Sequence, residues 1–201
     1  MSRRSSAALR SRLAEEAARY MGEHGLRDYR VAKEKAAQHL NIPQRAAWPS
    51  NQEIDTALRS RQSLFGGEAH HDRQLILRRQ ALRAMRELEA FSPTLVGAVL
   101  DGTAGIGVPV QLHVYAAVAE AVEECLDTRG LACAVTQKRM RCADRSYRYL
   151  PCLCFETTDA RFEVVIFSPA DRGNPALSPV TGKPFRGASL SAVEQLCHAL
   201  V

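Results

Sequence analysis

The spacing of glycines between Leu95 and Tyr115 constrains the fold of this chain more than any other feature of its sequence. A short apolar run leads into glycines at positions 97, 102, 105 and 107, and a second run, Val110–Tyr115, alternates apolar and polar residues. Alternation with a period of two is typical of a strand with one buried face. The stretch therefore predicts a strand, a glycine-rich loop and a second strand.

The loop itself has two interpretations. Glycines allow positive φ angles and a close approach of the backbone to a ligand, so successive amides can form a nest for an anion such as phosphate. On this interpretation the nucleotide-binding residues are Gly97, Gly102, Thr103 and Gly105. On the other interpretation the two strands form a plain hairpin with a loose turn, and the loop binds nothing.

Three segments of this stretch carry a resemblance to a known family. They are Gly97-Ala98, Asp101-Gly102-Thr103-Ala104 and Val110-Gln111-Leu112-His113-Val114. Together they resemble the signature of the nucleotidyltransferase superfamily (the DNA polymerase β-like fold), in which Gly-Ser opens a loop and Asp-x-Asp/Glu lies on the following strand. The resemblance implies a small mixed sheet of the nucleotidyltransferase type in the C-terminal half.

The sequence departs from that signature at the positions that carry its chemistry. Ala98 stands in place of the serine, and Pro109 and Gln111 lie where the two metal-binding carboxylates belong. Phosphoryl transfer with two metal ions needs clustered carboxylates, and neither proline nor glutamine supplies an anionic ligand. The resemblance therefore implies the fold without its usual chemistry. No cofactor is expected, except that magnesium would be required if the protein were an active nucleotidyltransferase.

Asp101 and Glu163 are the acidic residues expected near the glycine-rich loop, and they are the candidates for any catalytic role. Glu163 is the one charged residue of an apolar strand, Phe162–Phe167, which we expect at the centre of the sheet. The resemblance gives it the place of the superfamily's third carboxylate. Alternatively, Glu163 is a half-solvated residue at the start of the strand, paired with an arginine such as Arg161 or Arg148.

The N-terminal region, residues 1–90, is predicted to contain four helices. Two of them begin with clear N-terminal signals, the capping residue Asp28 and the capping box formed by Ser50 and Glu53. The nine-residue connection Asn41–Pro49 lies between these helices, and it is longer than the three or four residues of a DNA-binding helix-turn-helix. We therefore interpret the region as a helical layer packed on the sheet.

Two further strands, predicted over Leu131–Met140 and Tyr147–Phe155, form a hairpin with a basic turn. Tyr147 and Tyr149 are interleaved with its cations. Cations that meet phosphates, beside aromatic rings that stack on bases, are what contact with single-stranded or structured RNA requires. Alternatively, the cations keep an exposed sheet edge soluble. The predicted nucleic-acid-binding residues are Lys138, Arg139, Arg141, Arg145 and Arg148.

The distribution of charge and the spacing of the cysteines limit which partners and metals the chain can be expected to bind. The net charge is +5, of which residues 1–90 carry +6 and residues 91–201 carry −1. This asymmetry indicates that the N-terminal half meets any acidic partner. The six cysteines lack the paired spacing of a zinc site, so no bound metal is predicted.

No membrane segment is predicted. No apolar run approaches the ~20 residues that a spanning helix needs. The N-terminal sequence Met-Ser-Arg-Arg-Ser-Ser is not followed by the apolar core of a signal peptide. We expect a cytoplasmic protein without membrane contact.

These observations predict an α+β protein with a helical region over residues 1–90 and a nucleotidyltransferase-like α/β domain over residues 91–201. Three functions remain open. The first is a catalytically impaired nucleotidyltransferase-like module that binds a nucleotide or RNA. The second is an active nucleotidyltransferase with a rearranged acidic site. The third is a protein-interaction scaffold or homo-oligomer, such as a homodimer, without a ligand.

Overall fold

The computed structural model of the protein describes residues 3–43 and 48–198. The predicted α+β class is confirmed, because seven α-helices and a six-stranded mixed sheet lie in these ranges. The chain divides into two compact units. The helical unit comprises Met1–His71, Thr103–Val108 and Pro179–Thr181, and the sheet unit comprises Asp72–Gly102, Pro109–Ser178 and Gly182–Val201.

Three helices and the start of a fourth build the helical unit. They are α1 (Arg3–His24), α2 (Tyr29–His39), α3 (Asn51–Phe65) and α4 (Gly67–Glu87), of which α4 continues from residue 72 into the sheet unit. No helix in the described ranges is both long enough and apolar enough to cross a bilayer.

The predicted helix starts are confirmed. The Asp28 carboxylate accepts hydrogen bonds from two amides of the first turn of α2. Ser50 and Glu53 form the full capping box at the start of α3, each side chain accepting from the other's amide. Residues 44–47 of the connection between these helices lie outside the described residues.

Alanine makes the close packing of the helical unit possible, since a small side chain lets two helix backbones approach. The buried core of this unit contains Leu13, Ala14, Ala17, Ala18, Ala32, Ala36, Ala37, Ile54 and Leu58. Most of these residues repeat at steps of three or four, as the helical prediction requires.

One sheet and three further helices complete the sheet unit. The elements are β1 (Thr94–Val96), α5 (Ala98–Asp101), β2 (Val110–Tyr115), α6 (Ala119–Asp127), β3 (Ala134–Arg141), β4 (Tyr147–Glu156), β5 (Arg161–Phe167), β6 (Gly187–Ala188) and α7 (Leu190–His198). The strand order is β3-β4-β5-β2-β1-β6. Strands β2 and β5 are parallel, and every other neighbouring pair is antiparallel. The predicted pairings of β1 with β2 and β3 with β4 are confirmed, as is the central position of β5.

The register assigns side chains to two faces of the sheet. Gln111 of β2 lies directly beside Glu163 of β5, and Cys154 of β4 and Ala134 of β3 continue this row. Because side chains alternate along a strand, Lys138, four residues after Ala134, lies on the same face. We call this the site face.

A chain segment covers the site face. Ala176 and Phe185 pack there with a buried cluster that includes Leu150, Val165 and Phe167. The opposite face of the sheet is also buried at its centre. Its buried side chains include Leu95, Leu112, Leu153 and Val164.

The glycine-rich stretch differs from its prediction at one point. Val99 and Leu100, in a stretch predicted to contain only strands and a loop, lie in the single helical turn α5. The reason is Gly97, whose φ of 73° and ψ of −152° end the strand and start the turn. The segment between β1 and β2 is therefore a glycine, a helical turn and a loop, and not a loop alone.

Candidate functional site

The candidate site begins at Gly97, the residue that follows β1. Its φ of 73° and ψ of −152° are a conformation that L side chains rarely adopt. A Cβ at this position would lie 2.6 Å from Oε1 of Gln111. The backbone conformation therefore favours glycine here, and a larger residue would also displace the Gln111 amide.

Gln111, Glu163 and Lys138 form a polar cluster on the site face. Nε2 of Gln111 donates to Oε2 of Glu163 over 3.1 Å, and Nζ of Lys138 donates to the same oxygen over 2.5 Å. The Lys138 side chain reaches Glu163 from β3 across β4, the strand that lies between them. The interpretation of Glu163 as a paired residue is correct, but its partner is Lys138 and not an arginine. Arg161 pairs with Glu156, and Arg148 pairs with Asp171.

The pair is only partly shielded from water. The Lys138 and Glu163 side chains are 32% and 18% exposed, so solvent screens part of their attraction. Cys152 lies on β4 between their strands, and burial raises the pKa of its thiol to about 12. The cluster therefore contains one carboxylate with a cation already beside it, one neutral amide and one protonated thiol.

His113 lies two residues after Gln111 on the same face. Its ring packs between Phe167, with centroids 4.8 Å apart, and Phe185, at 5.0 Å. Desolvation, aided by the nearby Lys138 ammonium, lowers the pKa of His113 to about 4. The imidazole is therefore neutral at physiological pH.

The other predicted nucleotide-binding residues divide between the two units. Gly102 belongs to the sheet unit, where it ends α5 with a φ of 74°, and Arg78 donates to the carbonyls of Val99 and Leu100 in that turn. Thr103 and Gly105 belong to the helical unit. Asp101, the second acidic candidate, is exposed at the last residue of α5.

Within the helical unit the loop packs closely on the helices. The Thr103 carbonyl accepts from Nε2 of Gln62 over 2.8 Å. A Cβ on Gly105 would lie 3.2 Å from the Gly22 carbonyl oxygen. These contacts give Thr103 and Gly105 a packing role, and nucleotide binding by the loop stays a prediction.

The five predicted nucleic-acid-binding cations divide between the two faces of the hairpin. Lys138 and Arg148 lie on the site face, where they pair with Glu163 and Asp171. Arg139 and Arg141 point to the opposite face. Arg145 lies in the turn.

Arg139 and Arg141 share their face with two exposed tyrosines. Arg139 lies opposite Tyr149 in the register, and Arg141 lies opposite Tyr147. Tyr147 and Tyr149 are 56% and 66% exposed. The Arg139 guanidinium stacks over the Tyr147 ring, with Cζ 3.9 Å from its centroid. We call these four residues the Tyr–Arg face.

The hairpin turn is tightly held. Asp144 Oδ1 accepts from the amide and the hydroxyl of Ser146, and Asn174 donates to Asp144 Oδ2 over 2.9 Å. Arg145 has a φ of 67°, in the left-handed region that favours glycine. An arginine is thus held at a turn position where its backbone is strained and its side chain is exposed.

Sequence reasoning missed the role of Lys138 and the environment of His113. Both lie at polar positions of alternating strands, which predicts a solvated face. The signal for a covered face was the apolar content of the tail, where Ala176 and Phe185 pack on the sheet. The alternation could not show which segment would cover these residues.

No protein-family model matches this chain, no curated protein matches its sequence, and no solved structure matches its fold. The resemblance to nucleotidyltransferases therefore stays a prediction that rests on the residues quoted for it.

The cluster at the end of β1 does not fit the magnesium that an active nucleotidyltransferase would need. Pro109 has no side-chain donor atom, Gln111 offers a neutral amide, and the Glu163 carboxylate is shared with an ammonium group. Magnesium is bound in proteins chiefly by carboxylates and substrate phosphates. A divalent cation here would lie beside the Lys138 ammonium, and the two like charges would repel.

We predict that His113 makes stability depend on pH. Its pKa is about 4 in the folded protein and 6.5 in a free side chain, so the folded state binds fewer protons between these values. The free energy of unfolding should fall as pH decreases from about 6.5 to about 4, by about 2–3 kcal/mol, with no contribution from His113 above about pH 7.5.

Urea unfolding across that pH range tests this in the parent and in His113→Gln, which keeps a neutral polar side chain. The difference between the two proteins should shrink as pH decreases. His71→Gln, at an exposed histidine of α4, is the matched control and should leave the profile unchanged. Parallel profiles for the parent and His113→Gln would contradict the prediction.

Proposed function

We propose that this protein is a nucleotidyltransferase-like module that binds single-stranded RNA and does not carry out metal-dependent nucleotidyl transfer. The observation that carries the proposal is the Tyr–Arg face, where two exposed rings and two arginines lie together on one face of a rigid hairpin. The polar cluster around Glu163 supports the proposed lack of metal-dependent nucleotidyl transfer.

The spacing of the tyrosines suits two stacked bases. Tyr147 and Tyr149 are two residues apart on one strand, so both rings project from the same face about 7 Å apart. Exposed aromatic rings on a sheet are the surface on which single-stranded RNA stacks its bases. Each base stacked on an aromatic ring contributes about 1–3 kcal/mol of binding free energy.

The arginines complete this surface. Arg139 and Arg141 each lie opposite one of the tyrosines, within reach of the phosphates that flank a stacked base. The guanidinium of Arg139 over the Tyr147 ring holds that ring in place before any base arrives. Arg145 extends the positive charge to the tip of the hairpin.

Protection of the sheet edge explains the same residues less well. Near Arg141 the edge of β3 is already paired, because the Leu177 amide donates to the Arg141 carbonyl and the Ala143 amide to the Pro175 carbonyl. Edges are kept soluble by charged side chains, proline or bulges, and not by exposed tyrosines. Two adjacent exposed rings favour a stacking partner.

The ion pair of Glu163 supports the proposed absence of metal-dependent catalysis. Removal of paired carboxylates takes away the charge that positions the cations of phosphoryl transfer, a loss of several kcal/mol in barrier stabilisation. We predict no magnesium-dependent release of pyrophosphate from nucleoside triphosphates above the rate without protein. Release that needs magnesium and is lost in Glu163→Gln would contradict this prediction.

We predict that the two tyrosines supply the stacking energy for RNA. Tyr147→Ala and Tyr149→Ala should each weaken binding of an oligouridylate about tenfold or more in a filter-binding assay at low salt. Val135→Ala is the control, because Val135 is 59% exposed on the same face and has no ring. Unchanged affinity in the double tyrosine variant, or no binding by the parent, would overturn the proposed function.

We predict that Arg145 reduces stability and increases affinity. Glycine adopts a φ of 67° without strain, so Arg145→Gly should raise the free energy of unfolding by up to about 1 kcal/mol. The same change removes a cation and should weaken RNA binding. Arg145→Lys keeps the charge and the strain, so it should match the parent in both measurements. An Arg145→Gly variant that binds RNA as the parent does would contradict a contact at the turn.

A further inference from the structure

Three exposed arginines of α4 form no hydrogen bond or ion pair with the residues that the structure describes. Arg73, Arg79 and Arg83 are exposed on the part of α4 that belongs to the sheet unit. No hydrogen bond or ion pair joins any of the three to another described residue. We call these three residues the α4 stripe.

The other arginines of this helix have structural roles. Arg78 donates to the carbonyls of α5, and Arg86 pairs with Glu194 over 2.7 Å. The stripe shares its side of the helix with Asp72 and with Ile76, which is 46% exposed. Three cations against one carboxylate leave a net positive surface about 15 Å long, at 1.5 Å per helical residue.

One hydrogen bond places the middle of the stripe near the end of β4 that is far from the tyrosines. Gln80, next to Arg79, donates from Nε2 to Oδ2 of Asp159 over 2.7 Å. Asp159 lies in the turn between β4 and β5, at the opposite end of β4 from Tyr149. Seven residues of extended chain separate Tyr149 from Glu156 at the end of β4, so the contact of Gln80 lies about 23 Å along the strand from Tyr149.

We propose that the α4 stripe is a second contact for the phosphates of the same RNA strand that stacks on the Tyr–Arg face. This inference rests on the proposed function and adds a minimum length to its ligand. A tetranucleotide that occupies the tyrosines does not reach α4. A strand of about 16 nucleotides, at the upper end of known single-strand site sizes, does.

The charge of the stripe matches this partner. Arginine binds phosphate through its fixed fork of donors, and unpaired arginines lose no internal ion pair when they meet a phosphate. Each phosphate contact on a single strand releases about 0.7 of a counterion, which makes the number of contacts measurable. Three contacts at the stripe add about 2 to the slope of log affinity against log salt.

The test compares oligouridylates of about 4 and about 16 nucleotides in filter binding over a series of salt concentrations. The stripe variant is the triple change Arg73→Gln, Arg79→Gln and Arg83→Gln, since glutamine keeps the helix propensity. It should weaken binding of the long strand about tenfold, lower its salt slope by about 2 and leave the short strand unchanged. Thermal unfolding confirms that the variant is folded.

A matched control removes the same charge elsewhere. The control protein carries Arg12→Gln, Lys35→Gln and Arg186→Gln, at exposed positions outside the stripe that form no ion pair with another described residue. It should bind both strands as the parent does. If the control and the stripe variant weaken the long strand equally, the effect is net charge, and the proposal for the stripe is overturned.

The remaining outcomes separate this inference from the proposed function. If the parent binds both strands and the stripe variant binds the long strand as tightly as the parent, the stripe is not a contact and the Tyr–Arg face stands alone. If the stripe variant instead loses binding to vesicles of anionic lipid, the stripe belongs to a membrane surface. If the parent binds neither strand at low salt, both proposals fall together.

Discussion

The ion pair between Lys138 and Glu163 is the interaction on which the site face depends. A lone carboxylate on the apolar strand β5 would be costly, and one oxygen of Glu163 receives both the Lys138 ammonium and the Gln111 amide. The pair ties the edge strand β3 to the centre of the sheet. Its cation also adds to desolvation in keeping His113 neutral. The Lys138 ammonium beside this carboxylate would repel a divalent cation, so the contact that stabilises the sheet also disfavours metal binding at this site.

The glycines show why a loop motif alone does not define a function. Gly97 has a positive φ that favours glycine, and Gly105 packs closely against Gly22, where a Cβ would lie 3.2 Å from the Gly22 carbonyl oxygen. A phosphate nest would need glycine at such positions for the same two reasons, a positive φ and close approach to the backbone. A sequence records only that the side chain is absent. The space beside such a glycine can be filled by another segment of the chain or by a ligand. Residues distant in the sequence decide which of the two fills it.

The same distinction separates what could be predicted from what could not. The cap at Asp28, the alternation in β2 and the central position of β5 depend on neighbours within a few residues, and all were predicted from the sequence. The partner of Glu163 was not, because Lys138 reaches it across an intervening strand. The environment of His113 depends on a tail segment more than sixty residues later, and α5 depends on one backbone angle at Gly97. Local rules predicted the elements, and long-range packing decided the chemistry of their side chains.

Strand alternation connects the site face to the Tyr–Arg face. Lys138 and Arg139 are consecutive, so the two-residue period of a strand sends one cation to Glu163 and the next to the tyrosines. A shift of one residue in the register of β3 would exchange them, placing a flexible lysine among the exposed rings and an arginine at the carboxylate. The ion pair therefore fixes the register that presents Arg139 to Tyr147. The pairing of β3 with β4 therefore sets both the ion pair of Glu163 and the surface proposed to bind RNA.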